Sequence, residues 1–453
     1  MSEAPVRARP PRLGRLFEPV DGASLGAFRI AFGAILAWEA VHFLRADWVG
    51  EYWMRPEFHF KFYGFDWVRP WPGEWMVVHV VGVALAAGLL ALGLWTRVAA
   101  VLFALGFAYL FLLEKARYLN HFYLVALLGF LLCVVPAGRA LSLDALRRRG
   151  SVPATVPAWC LGLLRAQIGL VYLFAGVAKL NPDWLRGSPM RYWLAARAEG
   201  HFLGSLLEAE WAGWFFSYGG LLLDLGAWPL LACARTRAPT ALVVVAFHLT
   251  NASLFGIGIF PGLMIASTTL FFAPDWPRRL LPRRGSRGAA HPAAAVRPGP
   301  RERRLVPLFL AVYLVIQFAV PLRHWLYPGS VHWTEEGHVF SWHMKLRGKS
   351  ARASFTVRDA DTGEVWLVDP RAELTEWQAD KMGGRPDMIL QYAHHLAAEK
   401  RAEGRRRVEV RATVRCSLNR RPLQPLIDPT VDLAAQPRGL GHARWILPLR
   451  DVE

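Results

Sequence analysis

Apolar residues in this chain come in long uninterrupted runs, not in the alternation or helical stripe of a water-soluble core. Nine runs stand out, at 23–44, 76–95, 98–113, 119–136, 158–180, 217–233, 239–255, 257–273 and 305–325. Runs of this length with few charges match the roughly 20 helical residues needed to cross ~30 Å of hydrocarbon. The pattern predicts a polytopic α-helical membrane protein with about nine transmembrane helices. The eighth run, "FGIGIFPGLMIASTTLFF", carries Gly and Pro and is expected to be broken or re-entrant. The third and fourth meet at "LEKARYLNHFY", a charged elbow with no long loop. The first run follows a basic segment and has no small-residue cleavage site, so it reads as a retained anchor.

The pattern changes after residue 330. "ASFTVRDADTGEVWLVDP" alternates and turns at Asp-Thr-Gly, as a β-hairpin does. "WQADKMGGRPDMILQYAHHLAAEKRAEG" reads as one helix, and "RRVEVRATVRCSLN" as a strand with Val408, Val410, Ala412 and Val414 on one face. The expected organisation is a basic tail over 1–20, a transmembrane catalytic domain over 21–330 and a small α+β extracytoplasmic C-terminal domain over 331–453. A basic Gly/Pro/Ala-rich linker at 280–304 is expected to lack order. No internal repeat is visible.

The formal charge of +18 invites a nucleic-acid reading. The arginines, however, flank the apolar runs, where they set topology. With the N-terminus in the cytoplasm, Arg7, Arg9, Arg12, Arg15, Arg97, Arg139, Arg147 to Arg149, Arg235, Arg237 and the basic linker all fall on the cytoplasmic side. The C-terminal domain then falls outside. No nucleic-acid partner is expected. Cys133, Cys160, Cys233 and Cys416 show neither metal-ligand spacing nor a disulfide framework. The aromatic outer loop at 55–73 reads as an interfacial belt, with a lid over a cavity or a substrate-contacting loop as the alternative.

Polar groups inside apolar runs are costly and face a bundle interior or a cavity. Lys179 ends the run "GLVYLFAGVAKL", and residues 172, 176, 179 and 183 share one helical face. Lys179 is read either as snorkelling to the interface beside Asp183 or as a desolvated lysine that can act as a base. Glu114 and Arg117 suit an interfacial ion pair, whereas Asn120 and His121 open the fourth run. His248 and Asn251 lie deep in the seventh run, and a satisfied interhelical pair is one reading of them. Asp224 in "GGLLLDLGAWPLL" needs a cationic or hydrogen-bonding partner, and Arg165, Gln167 and Arg29 are the other polar residues in the runs.

These segments resemble the vitamin K-dependent γ-glutamyl carboxylase family. The likeness rests on "LRAQIGLVYLFAGVAKLNPDWLRGSPM", "FLLEKARYLNHFYLVALLGFLL", "GGLLLDLGAWPLL", "FHLTNASLFGIGIFPGLMIASTTLFFAPDWPRRL", "LRHWLYPGSVHWTEEGHVFSWHM" and "LIDPTVDL". It runs in register over roughly residues 20–435. The resemblance implies an integral membrane enzyme that uses reduced vitamin K (phylloquinone or menaquinone hydroquinone), O2 and CO2, with no metal. It would carboxylate glutamate in a peptide or protein while the quinone becomes an epoxide. Lys179 aligns with the family's catalytic base, and His121 and His248 with its quinone-contacting histidines. Asn120, Asn251, Tyr172, Arg165, Gln167 and Asp224 align with supporting, cofactor-binding positions. The family often has a second lysine before the base, where this chain has Ala178. The Arg/Ala-rich composition and short chain suggest a bacterial member, in the inner membrane. Two alternatives stand beside this reading. One is a quinol epoxidase without carboxylation. The other is a transporter or scaffold with buried polar pairs.

Overall fold

The computed structural model describes residues 12–148, 153–200, 203–280 and 298–450. Arg7, Arg9, Arg149 and most of the basic linker lie outside these residues. Among them, seven helices are long and apolar enough to cross a membrane: Ala23–Arg45, Trp75–Leu92, Thr96–Leu113, Ala158–Ala178, Glu210–Ala232, Arg237–Phe255 and Pro300–Leu326. Two further apolar helices are shorter, Asn120–Val134 and Phe260–Phe271. At 1.5 Å per residue the former spans only about 22 Å. The latter follows Gly256 and Gly258, both at positive φ, which break the chain where a broken span was expected. The helix after the linker begins at Pro300, so the last residues of the expected linker are helical.

The bundle is held at its core by a buried arginine. Arg29 is fully buried and donates from Nε to Ala137 O (3.2 Å) and from Nη1 to Ala91 O (2.8 Å). It thereby satisfies carbonyls left open at the end of the Trp75–Leu92 helix. Gly93, at φ 67°, closes that helix, and a Cβ there would lie 2.6 Å from Arg29 Nη1. Arg29 is therefore a structural clamp with no tie to Asp224.

Two glycines set the spacing that matters for chemistry. A Cβ at Gly169 would lie 2.2 Å from Trp228 Cδ2, and one at Gly176 would lie 2.7 Å from Leu225 Cδ2. Their absence lets the Ala158–Ala178 and Glu210–Ala232 helices cross closely.

The C-terminal domain is a four-stranded antiparallel sheet backed by helices. Strand Lys349–Asp359 lies between Val365–Val368 and Val408–Leu418, and Gln424–Pro425 adds the far edge. The expected hairpin forms, with Phe355 opposite Val368. Val408, Val410, Ala412 and Val414 are buried on one face, as the alternation required. The expected single helix is two, Glu376–Gly383 and Pro386–Ala402, because Gly384 and Pro386 interrupt it. The four cysteines are free.

This domain is docked on the bundle. The 55–73 loop does the joining: Phe60 is buried in the domain's core, and Phe62 stacks on Phe111 and Phe340. No residue of that loop lines the cavity described below. Glu114 does not pair with Arg117. Its buried carboxylate accepts from Gln378 Nε2 (2.9 Å) and Ala116 N (2.8 Å), while Arg117 lies over the Tyr52 ring. Lys115 pairs with Asp387.

Four histidines gather beside this joint. The rings of His324, His332 and His338 sit 4.8, 5.2 and 5.4 Å from that of His343. Among the described residues, neither ring nitrogen of His343 has a hydrogen-bond partner. Burial lowers His332 to about 4 and His343 to about 2, and pushes His338 well down, with the Arg347 charge adding to all three. A histidine whose folded pKa is depressed contributes stability above its unfolded value near 6.5, and that stability is lost as pH falls below it. We expect a drop on the order of 1 kcal/mol per histidine between pH 7.5 and 5.5. Thermal melts of the nanodisc-embedded protein across that range check it, and a flat profile contradicts it.

Candidate active site

The lysine that ends the Ala158–Ala178 helix is held inside the protein. Lys179 is 6% exposed and caps that helix. Asn181 and Pro182 then start a new short helix, Pro182–Leu185, whose N-cap is the Asn181 side chain accepting from Trp184 N. The helical spacing that placed Asp183 beside Lys179 therefore ends before Asp183 is reached. Asp183 turns instead to the C-terminal domain, where Arg421 (2.7 Å) grips both of its oxygens and Asn419 Nδ2 (2.6 Å) one of them.

The partner of Lys179 is Asp224. Nζ donates to Asp224 Oδ2 at 2.5 Å and to Ala175 O at 3.2 Å. Asp224 is 4% exposed, so both members of the pair are out of water. The Gly169 and Gly176 crossing brings its helix to this distance. Trp184 lies across the other side of the ammonium, 5.3 Å from Nζ to the ring centre, and is fixed by its own indole N–H to Ser217 O (2.8 Å).

Two turns before Lys179, the Tyr172 hydroxyl is 3.0 Å from His248 Nε2, with both residues 2% exposed. His248 Nδ1 is buried and has no hydrogen-bond partner among the described residues. The ring of Phe260 stands between the two site histidines, 5.8 Å from His248 and 6.0 Å from His121. Gly258 passes close to His121 Nε2. Asn120 accepts from the Tyr118 hydroxyl (2.9 Å) and donates to His343 O (3.3 Å), tying the start of its helix to the C-terminal domain.

These residues border one cavity of about 740 Å³. Lys179, Asp224, Tyr172, His248, His121, Asn120 and Asn251 all line it, among aromatic walls that include Trp38, Phe247 and Phe260. Arg165 and Gln167 do not. Arg165 donates to Leu270 O (2.7 Å) and Phe272 O (3.0 Å), closing the end of the broken helix. Gln167 accepts from the Tyr313 hydroxyl (2.6 Å) and packs toward the Pro300–Leu322 helix.

Residues outside the expected set also reach the cavity. Trp193 comes from the amphipathic helix Ser188–Ala198, in a stretch without a long apolar run. Met344, Lys345 and Lys381 come from the C-terminal domain. Local pattern carries no sign of the last three, because their position depends on how that domain docks.

The fold and cavity define a polytopic membrane protein whose buried lysine–carboxylate pair faces an aromatic chamber lined in part by the C-terminal domain. Residues 17–276, more than half of the chain, match the family model of the HTTM domain. Residues 302–452 match that of the vitamin K-dependent gamma-carboxylase lumenal domain. The chain belongs to the vitamin K-dependent γ-glutamyl carboxylase family. No solved structure matches it.

Proposed function

We propose that this protein carboxylates glutamate side chains of a peptide or protein to γ-carboxyglutamate, with reduced vitamin K, O2 and CO2 as co-substrates and quinone epoxide as coproduct. The observation that carries the reading is the burial of Lys179 and Asp224 as a pair in the chamber that also holds His121 and His248. Membership of the carboxylase family gives that chamber its chemistry.

The chamber suits a hydroquinone. Its walls are aromatic, it lies among membrane helices, and His248 Nδ1 is an unclaimed polar atom. His121 and His248 would hold the quinol oxygens, and Tyr172 fixes the ring of His248 through Nε2. Asn120 ties the start of the helix that carries His121 to Tyr118 and to His343 O. When bound, the hydroquinone supplies the oxidisable ring whose reaction with O2 drives removal of the glutamate γ-proton. Lys179, as a free amine, takes the quinol proton. Asp224 makes that uptake favourable, because with Asp224 ionised the arriving proton turns an isolated buried anion into a neutral ion pair. The apolar, aromatic walls around the buried pair lower the local dielectric and so strengthen each of these interactions.

In this reading all nine apolar segments cross or enter the membrane, the N-terminus is cytoplasmic, and the 331–453 domain faces the outside of a bacterial inner membrane. The arginine distribution supports that topology. The three-part division at residues 20 and 330 goes with it.

The test uses the full chain in lipid nanodiscs with vitamin K hydroquinone, O2, CO2 and a glutamate peptide. The peptide should gain one CO2 by mass, and its glutamine counterpart none. Epoxide without a carboxylated peptide would point to the epoxidase alternative. Neither product from folded protein would return the scaffold reading. For the histidines, His121→Ala and His248→Ala should each raise the quinol KM roughly 10-fold or more, in line with losing a buried hydrogen bond. A quinol KM unchanged in both variants would remove them from the quinol site.

A further inference from the structure

The strap at 337–346 is strained and pinned. Phe340, Trp342 and Lys345 all hold positive φ (66°, 59° and 48°), a conformation that side chains rarely adopt. Each such residue costs on its own and persists only where the surroundings over-determine it, and such positions gather at functional sites. Here the bundle supplies the pins. Phe340 N donates to the Tyr118 hydroxyl (2.8 Å), Asn120 donates to His343 O, and Arg323 donates to Val339 O. Trp342 is 1% exposed and packs on Tyr123. The result is that Met344 and Lys345 enter the chamber that holds Lys179.

Lys345 Nζ lies between the rings of Phe255 (5.1 Å) and Trp193 (5.7 Å). Among the described residues no carboxylate acts on it, whereas Asp380 acts on Lys381, the other lysine that the domain sends into the chamber. Burial, with Arg197 adding, lowers the Lys345 ammonium from its usual range, and burial, with Arg385 adding, does the same to Lys381. Arg117 also lines the chamber, beside the Glu39 carboxylate. Lys345 stands exposed on the chamber wall with no carboxylate beside it, so an anion can reach it from solvent. An ammonium set over aromatic faces also has its position fixed before that anion arrives.

We infer that Lys345 is the anchor for the side-chain carboxylate of the peptide's glutamate, with Lys381 adding to the cationic entrance. The inference rests on the carboxylase reading for the identity of the anion. It sets the strap as the element by which the extracytoplasmic domain presents substrate to the chamber. Lys179 lies over Trp184 and Lys345 over Trp193, two rings of one apolar cluster.

The test measures equilibrium binding of a fluorescent glutamate peptide and its glutamine counterpart to the full chain in nanodiscs. Wild type should prefer glutamate by roughly 10- to 100-fold, the worth of a charge-assisted bond. Lys345→Gln should abolish the preference, and Lys345→Arg should keep most of it. In turnover, Lys345→Gln should raise the peptide KM by a similar factor and leave the quinol KM within about twofold. That split separates a lost anchor from a damaged fold. Lys345→Gln that still prefers glutamate by the wild-type factor, wild type that shows no preference, or a loss confined to Lys381→Gln would each overturn the inference. Because binding is read without turnover, a wild type that binds through Lys345 but fixes no CO2 would count against carboxylation and not against the anchor.

Discussion

Lys179→Ala should lose at least ~10³-fold in both epoxide formation and CO2 fixation, the upper range for a single general base. The two activities should fall together, because one proton transfer from the quinol precedes both. Lys179→Arg should be as inactive, since a guanidinium keeps its proton and cannot act as a base. The structural cost must be separated from the chemical one. Removing Lys179 leaves Asp224 buried without its partner, which costs about 3–5 kcal/mol in such pairs. The double variant Lys179→Ala with Asp224→Ala removes that charge and should recover most of the melting temperature, with activity still absent. Recovery of activity in the double variant would show that Lys179 serves packing only.

Asp224→Asn should have the second-largest effect, a loss of roughly 10²-fold in turnover. The neutral amide keeps the shape and can still accept from Nζ, but it no longer rewards the arrival of a proton. The measurement is kcat for the two proteins in nanodiscs at saturating quinol and peptide. Turnover at the wild-type rate would mean that Asp224 does not act on the proton transfer at Lys179.

Much of the site was legible because isolated polar residues in apolar runs are conspicuous. Lys179, Asp224, His248 and His121 stand out by composition alone, and all four line one cavity. The pairing between them was not legible. Asp224 lies 45 residues from Lys179, and its approach depends on a helix crossing set by Gly169 and Gly176. The nearer acid, Asp183, misled because helical spacing was extended past Ala178, where Asn181 and Pro182 had already restarted the chain. Those two residues are an ordinary stop-and-cap signal. Gly384 and Pro386 were a similar signal in the C-terminal domain, where one expected helix is two. Arg165 and Gln167 look like site residues in sequence, yet one caps carbonyls and the other meets Tyr313, because a helix in a bundle offers several buried faces. Lys345 could not be placed at all by periodicity. Its position comes from a left-handed backbone turn and from the docking of one domain on another.

The most direct measurement is a parallel time course of epoxide and γ-carboxyglutamate in wild type and Lys179→Ala, in nanodiscs with hydroquinone, O2, labelled CO2 and a glutamate peptide. Wild type should form both products, and the variant neither, while its fold is verified by melting. Epoxide formed by Lys179→Ala at the wild-type rate would contradict the assignment of Lys179 as the base that starts the reaction.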